Sequence, residues 1–149
     1  MSQSDSIVVS FASTWQQPLV KGAFKAVIRK RIPKTLKPKW LYFHINSPVA
    51  AICGRAEIQS FCELTIAQAK AISTELALSP TEIDTYAGGS QFIGCYKLGR
   101  IELAQPALTL STIAEHMVYH APQSFFILSN AAKTVIDKLA GFPNRRKKT

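Results

Sequence analysis

The chain has 149 residues, 47% of them hydrophobic and 18% charged, which is enough apolar material for one packed domain and excludes an intrinsically disordered chain. Its net charge is +9, and twelve of its eighteen basic residues fall in two segments: eight between Lys21 and Lys39, where no acid interrupts, and four in Arg145, Arg146, Lys147 and Lys148. The rest carries six basic and nine acidic residues, so the positive field is local, and such a field concentrates polyanions at a surface.

Taken in chain order, Ile7–Phe11 reads as a short strand. Phe24 to Ile32 alternates with period two, Phe24, Ala26, Ile28 and Lys30 facing one way and Lys25, Val27, Arg29 and Arg31 the other; this predicts a strand with one mostly apolar and one mostly basic face. Pro33 and Pro38 bracket a turn containing Lys34, and Trp40–Ile45 predicts the next strand, broken by Asn46-Ser47-Pro48. Ala50–Phe61 is a third long strand, with Gly54 marking a bulge or a close backbone approach. The period then changes: Ile66, Ala69, Ile72 and Leu76 predict an amphipathic helix over 65–78. Ser79-Pro80-Thr81-Glu82 is a capping box with Pro at the first helical position, opening a helix that Gly88-Gly89 ends. Phe92–Leu103 returns to strand, Ser111–Val118 predicts a helical turn, and Phe125–Leu128 a last strand. Asn130 is expected to cap a C-terminal helix closed by Gly141 and Pro143. This order describes a small α+β domain around a mixed barrel or sheet, over residues 1–142, with a basic tail at 143–149 expected to be disordered.

No apolar run nears the roughly 20 residues of a membrane span, and the first five residues lack the basic start of a secretory signal. Cys53, Cys62 and Cys95 are an odd number without CxxC spacing, which suits reduced thiols in a cytoplasmic protein rather than a disulfide framework or zinc site. His116 and His120 stand four apart without an HExxH pattern, so neither a metal nor a cofactor is called for. The basic row Lys25, Arg29 and Arg31 has a spacing of about 6–7 Å on one strand face, which can follow a phosphate backbone. The alternative is a solvated face whose charges protect a sheet edge. Trp15, in the polar loop Ser13–Gln17, is the ring expected to be exposed for base stacking.

Four stretches together resemble the ASCH family of the PUA-like superfamily, small β-barrel-and-helix domains associated with RNA. Gly22–Pro33 is similar to the family's G-x-K-x-x-E-x-R stretch with Arg-Ile-Pro at its end, and Leu41–Val49 to a strand ending in Ser-Pro-Val. Phe92–Leu110, with Tyr96-Lys97-Leu98-Gly99 and Pro106, resembles the later strand pair, and Ala121–Phe125 the Pro-Gln-Ser-Phe near the C-terminal end. The resemblance implies a PUA-like small mixed β-barrel with flanking helices. Some family members are enzymes, removing an acyl group from acetylated cytidine or cleaving RNA, and in the deacylating group a Lys and a Thr are implicated. At those two places this chain has Phe24 and Val27, and neither can move a proton or act as a nucleophile.

The reading is therefore an RNA or single-stranded nucleic-acid binding domain with a basic cleft that can take a modified or flipped base. Its candidate contacts are Lys25, Arg29, Arg31, His44, Ser47 and Gln123, with Arg145 and Arg146 of the tail adding phosphate affinity. The alternative is an enzyme on RNA or modified nucleosides. The oligomeric state stays open.

Overall fold

The computed structural model describes residues 3–33 and 37–143, so the candidate contacts Arg145 and Arg146, and Lys34 of the proline-bracketed turn, lie outside the described residues. Six strands form one mixed sheet: β1 (Gln3–Phe11), β2 (Ala26–Arg29), β3 (Trp40–Ile45), β4 (Ala51–Thr65), β5 (Phe92–Thr109) and β6 (Phe125–Ser129). Their order is β2-β5-β4-β3-β1-β6, with β1 and β3 parallel and every other neighbouring pair antiparallel. Six helices, α1 (Gln16–Lys21), α2 (Ile66–Ala71), α3 (Ser73–Leu76), α4 (Pro80–Ala87), α5 (Leu110–Ala114) and α6 (Asn130–Ala140), flank it. The expected barrel is not closed among the described residues, because β2 and β6 end the row without pairing to each other.

The sheet nevertheless curls strongly. Flat, β2 and β1 would stand four strand spacings apart, about 19 Å, beyond an arginine's reach. Yet Arg29 of β2 donates from Nη2 to the Ser10 carbonyl of β1 at 2.9 Å. The bending comes from register shifts: three interrupt the β4–β5 ladder and one the β3–β4 ladder, and each extra residue bends its strand and increases the local twist. Gly54 lies at one of them, where a Cβ would come within 2.8 Å of the Glu102 carbonyl. The close approach predicted there is present.

The curl divides the core. Ile7, Val9, Phe11, Leu41, Phe43, Ile45, Val27 and Phe24 fill its inside. On the outer face Val8, Tyr42 and Ile52 meet Ile113, Tyr119 and Ile136 of the α5–α6 region. Ala26, Ile28 and Cys95 lie under Ala69, Leu76 and Ile83 of α2–α4. Both faces of β2 are thus covered; of the basic face expected there only Arg29 lies within the strand and turns into the curl with Val27, while Lys25 and Arg31 fall outside it and are exposed.

The helices follow their local signals in part: α1 is not among those expected, since its first residues fall in the predicted Ser13–Gln17 loop, and the helical turn expected over Ser111–Val118 is the shorter α5, Leu110–Ala114. Ser79 and Glu82 form the predicted reciprocal capping box, and Gly88 closes α4 at φ 57°. The helix predicted over 65–78 is split at Ile72, whose N–H bonds to the Ala69 carbonyl. The residues after Ala71 are Ile-Ser-Thr, all weaker helix formers. For α6 the cap is Ser129, accepting from the Ala132 N–H at 3.0 Å, one residue before the expected Asn130. The three cysteines are free, Cys53 and Cys95 buried and Cys62 exposed. No helix among the described residues is long and apolar enough to cross a membrane.

Candidate functional site

Where β2 folds back towards β1, a cleft of about 410 Å³ opens along the seam. It is lined by Phe11, Trp15, Ile28, Arg29, Leu78 and Tyr86, together with Asn46, Gln123 and Ser124. Trp15 sits on the short 3-10 turn Ser13–Trp15. It is half-buried rather than exposed, standing edge-on to Phe24 at 5.4 Å and to Phe11 at 6.5 Å. The ring expected for free stacking is thus a wall of the cleft.

Arg29 is the cleft's charged group. Besides the bond to Ser10 it donates from Nη1 to the Ile28 carbonyl at 2.7 Å, and its Cζ lies 4.2 Å from the Phe11 ring centre. Two carbonyl acceptors and a ring beneath fix the plane of the guanidinium, whose five N–H donors suit a carbonyl edge or a phosphate. Burial lowers its pKa from the usual value of 12.5, which Tyr86 and Tyr96 partly oppose; it stays a cation at neutral pH. Tyr86 of α4 also accepts the Lys30 N–H at 3.2 Å, and Lys30 Nζ lies 5.4 Å from its ring.

The candidate residues separate. Arg29 and Gln123 line the same cleft. Arg31 is exposed and lines an adjoining groove together with Lys30. Lys25 is exposed and lines neither; its backbone N–H donates to the Glu75 carbonyl at 2.7 Å and its own carbonyl accepts from the Leu98 N–H. Ser47 is exposed just past the rim, and its neighbour Asn46 takes the lining position. His44 is only 1% exposed and faces the outer side of the sheet, its Nδ1 2.9 Å from the Tyr119 hydroxyl. Burial lowers its pKa below 6.5, so it is neutral at pH 7 and away from the cleft.

Phe24 and Val27 are 2% and 5% exposed within the apolar interior. Another depression, about 620 Å³ and formed by residues between Met117 and Ala132, has no Lys, Arg, Asp or Glu in its lining. The seam cleft, by contrast, pairs a half-buried cation with aromatic walls and two amide side chains. Among the described residues no group of three or more His, Cys, Asp or Glu could hold a metal ion. Sequence reasoning missed Asn46 and Tyr86. The first stands beside the chosen Ser47, and the second reaches the cleft only through the packing of α4.

No protein-family model matches the sequence, and a comparison with curated proteins likewise finds no match. Solved structures do resemble it. ASCH from Zymomonas mobilis superposes with a TM-score of 0.81 at 18% identity, covering 91% of this chain and 95% of that one. A mutant form of the same protein reaches 0.82 at 18% identity, covering 93% and 99%. The N-terminal domain of Staphylothermus marinus McrB follows at 0.57 and 10% identity, covering 92% and 95%. At these identities the likeness is one of fold.

Proposed function

With the ASCH-domain fold as premise, we propose that this chain binds RNA or single-stranded nucleic acid and receives one base in the seam cleft. The observation that carries the reading is Arg29: a cation held in plane by two carbonyls over the Phe11 ring, in a cleft of ligand size that Gln123 and Asn46 also line. Flipped or unstacked bases are recognised by stacking and by hydrogen bonds to their edges. Trp15 offers the apolar surface, while Asn46, Gln123 and Arg29 offer the polar edge partners. Lys30 and Arg31 at the mouth, and the basic residues near both ends of the sequence, supply the sequence-independent attraction to phosphates.

The alternative of an enzyme on RNA or modified nucleosides draws less support. The positions of the Lys and Thr implicated in the deacylating group of the ASCH family are buried Phe24 and Val27 here, and Lys25 lines neither the cleft nor the groove. The test is fluorescence anisotropy with short labelled RNA and DNA strands across a salt series. The log of the association constant should fall with the log of salt by about 0.7 per phosphate neutralised. Gln123→Ala, at an exposed position, should weaken binding without changing the melting temperature. Absence of binding at low salt would sink the proposal, and turnover of acetylated cytidine or RNA would move it to the enzyme reading.

A further inference from the structure

Beyond the cleft the seam widens into a groove of about 970 Å³ whose lining includes Lys30, Arg31, Phe61, Glu63, Phe92 and Ser124. Ser124 lines both, so the groove adjoins the cleft. The groove exposes aromatic surface: Phe92 is 56% and Phe61 36% exposed, two of only four large hydrophobic residues that exposed among the described residues. Their placement follows from the β4–β5 ladder. Phe61 pairs with Tyr96, Glu63 with Gly94 and Thr65 with Phe92, so both rings stand on one face of this antiparallel pair, about 13 Å apart along the strands. Gly94 keeps the floor between them low. A Cβ there would come within 2.6 Å of the Ile32 side chain and 3.2 Å of the Phe61 ring. Phe61 is steadied against Tyr96, the ring centres 4.9 Å apart.

We propose that this groove is a second subsite that binds the nucleotides flanking the base in the seam cleft, with bases stacking on Phe92 and Phe61 and phosphates meeting Lys30 and Arg31. The inference rests on the nucleic-acid reading and deepens it. Exposed rings beside cations that have no ion pair among the described residues match the stacking platform and electrostatic track of single-strand binding, whereas a protein-docking patch favours an apolar centre free of charge. Glu63 between the rings repels phosphate and can accept from an exocyclic amino group of cytosine or adenine. The strand would then run with its bases inward and its backbone along the basic lip.

The experiment measures affinity for a mononucleotide, a dinucleotide and a six-nucleotide strand with wild type, Phe92→Ala, Phe92→Tyr and Gln123→Ala. Loss of one stacking partner should weaken the six-nucleotide strand about tenfold in Phe92→Ala, leave the mononucleotide unaffected and be recovered in Phe92→Tyr. Gln123→Ala should weaken all three ligands. If Phe92→Ala leaves the six-nucleotide affinity intact while Gln123→Ala lowers it, the groove inference is overturned and the cleft reading stands. If no strand binds at all, the cleft reading itself has failed. A wild-type dimer that Phe92→Ala turns into a monomer would assign the rings to self-association and likewise overturn the inference.

Discussion

Replacing Arg55 by methionine should be among the most damaging single changes on the outer face. Arg55 is 1% exposed, and its Nε lies 2.7 Å from Glu102 and Nη1 3.2 Å from Asp137. Nη2 donates to the Pro143 carbonyl at 2.6 Å and Nη1 to the Tyr42 hydroxyl at 3.2 Å. The guanidinium lies 4.2 Å from the Trp40 ring centre and 4.9 Å from that of Phe142. Burial alone would lower its pKa, but the bonds to Glu102 and Tyr42 outweigh this and the net shift is upward. Removing one partner of a buried pair costs about 3–5 kcal/mol. Here Lys133 still reaches Asp137 at 2.9 Å, so the lower end, about 3 kcal/mol, is expected. With a urea slope of about 2 kcal/mol per molar, the midpoint should fall by about 1.5 M. Because the Pro143 bond anchors the chain beyond α6, limited proteolysis should also cut Arg55→Met first near its C-terminus. A midpoint shift below about 0.5 M at unchanged slope would refute the reasoning.

Three further outcomes are expected. Gly54→Ala places a methyl against the Glu102 carbonyl at 2.8 Å, a backbone atom that cannot swing away; it should cost about 1–3 kcal/mol, and an unchanged thermal midpoint would contradict the close approach. Buried His44 has a pKa lowered from 6.5, so the unfolded chain takes up its proton first as pH falls. Its contribution to stability is therefore complete above about pH 6.5 and is lost on acidification towards the folded-state value, with a slope of at most about 1.4 kcal/mol per pH unit; His44→Gln should flatten that part of a urea-midpoint profile against pH. Burial raises the Cys53 pKa and pushes Cys95 up to about 11. Since the thiolate is the reactive form, iodoacetamide should label exposed Cys62 alone in the folded chain and all three thiols after unfolding, as read by intact mass.

The parts legible in the sequence were those specified locally. The Ser79–Glu82 capping box, the Gly88 and Gly141 stops and the strand-like runs around Ile7, Trp40 and Phe125 depend on neighbours within a few residues. What covers a strand face is a tertiary matter. The alternation from Phe24 to Arg31 was visible, but the curl that turns Val27 and Arg29 inward comes from register shifts between β4 and β5, which leave almost no mark in composition. The same period-two rule did contain a signal about His44: it alternates with Leu41, Phe43 and Ile45 and so shares the face of Tyr42, away from Phe11 and Arg29. Arg29 and Gln123, 94 positions apart, line one cleft because Ser10 bonds to the Ser124 carbonyl through its N–H and to Arg29 through its carbonyl. Tyr86 enters the site through the packing of α4, which no local pattern reports.

The central claim is that a single strand enters the seam beside Arg29, and backbone amide NMR during titration with a short single-stranded RNA tests it most directly. Shifts are expected to concentrate at Ser10–Trp15, Ile28–Arg31, Asn46, Tyr86 and Gln123–Ser124, and to diminish as salt rises. Shifts confined to the Met117–His120 segment and α6, with the seam residues unmoved, would contradict it.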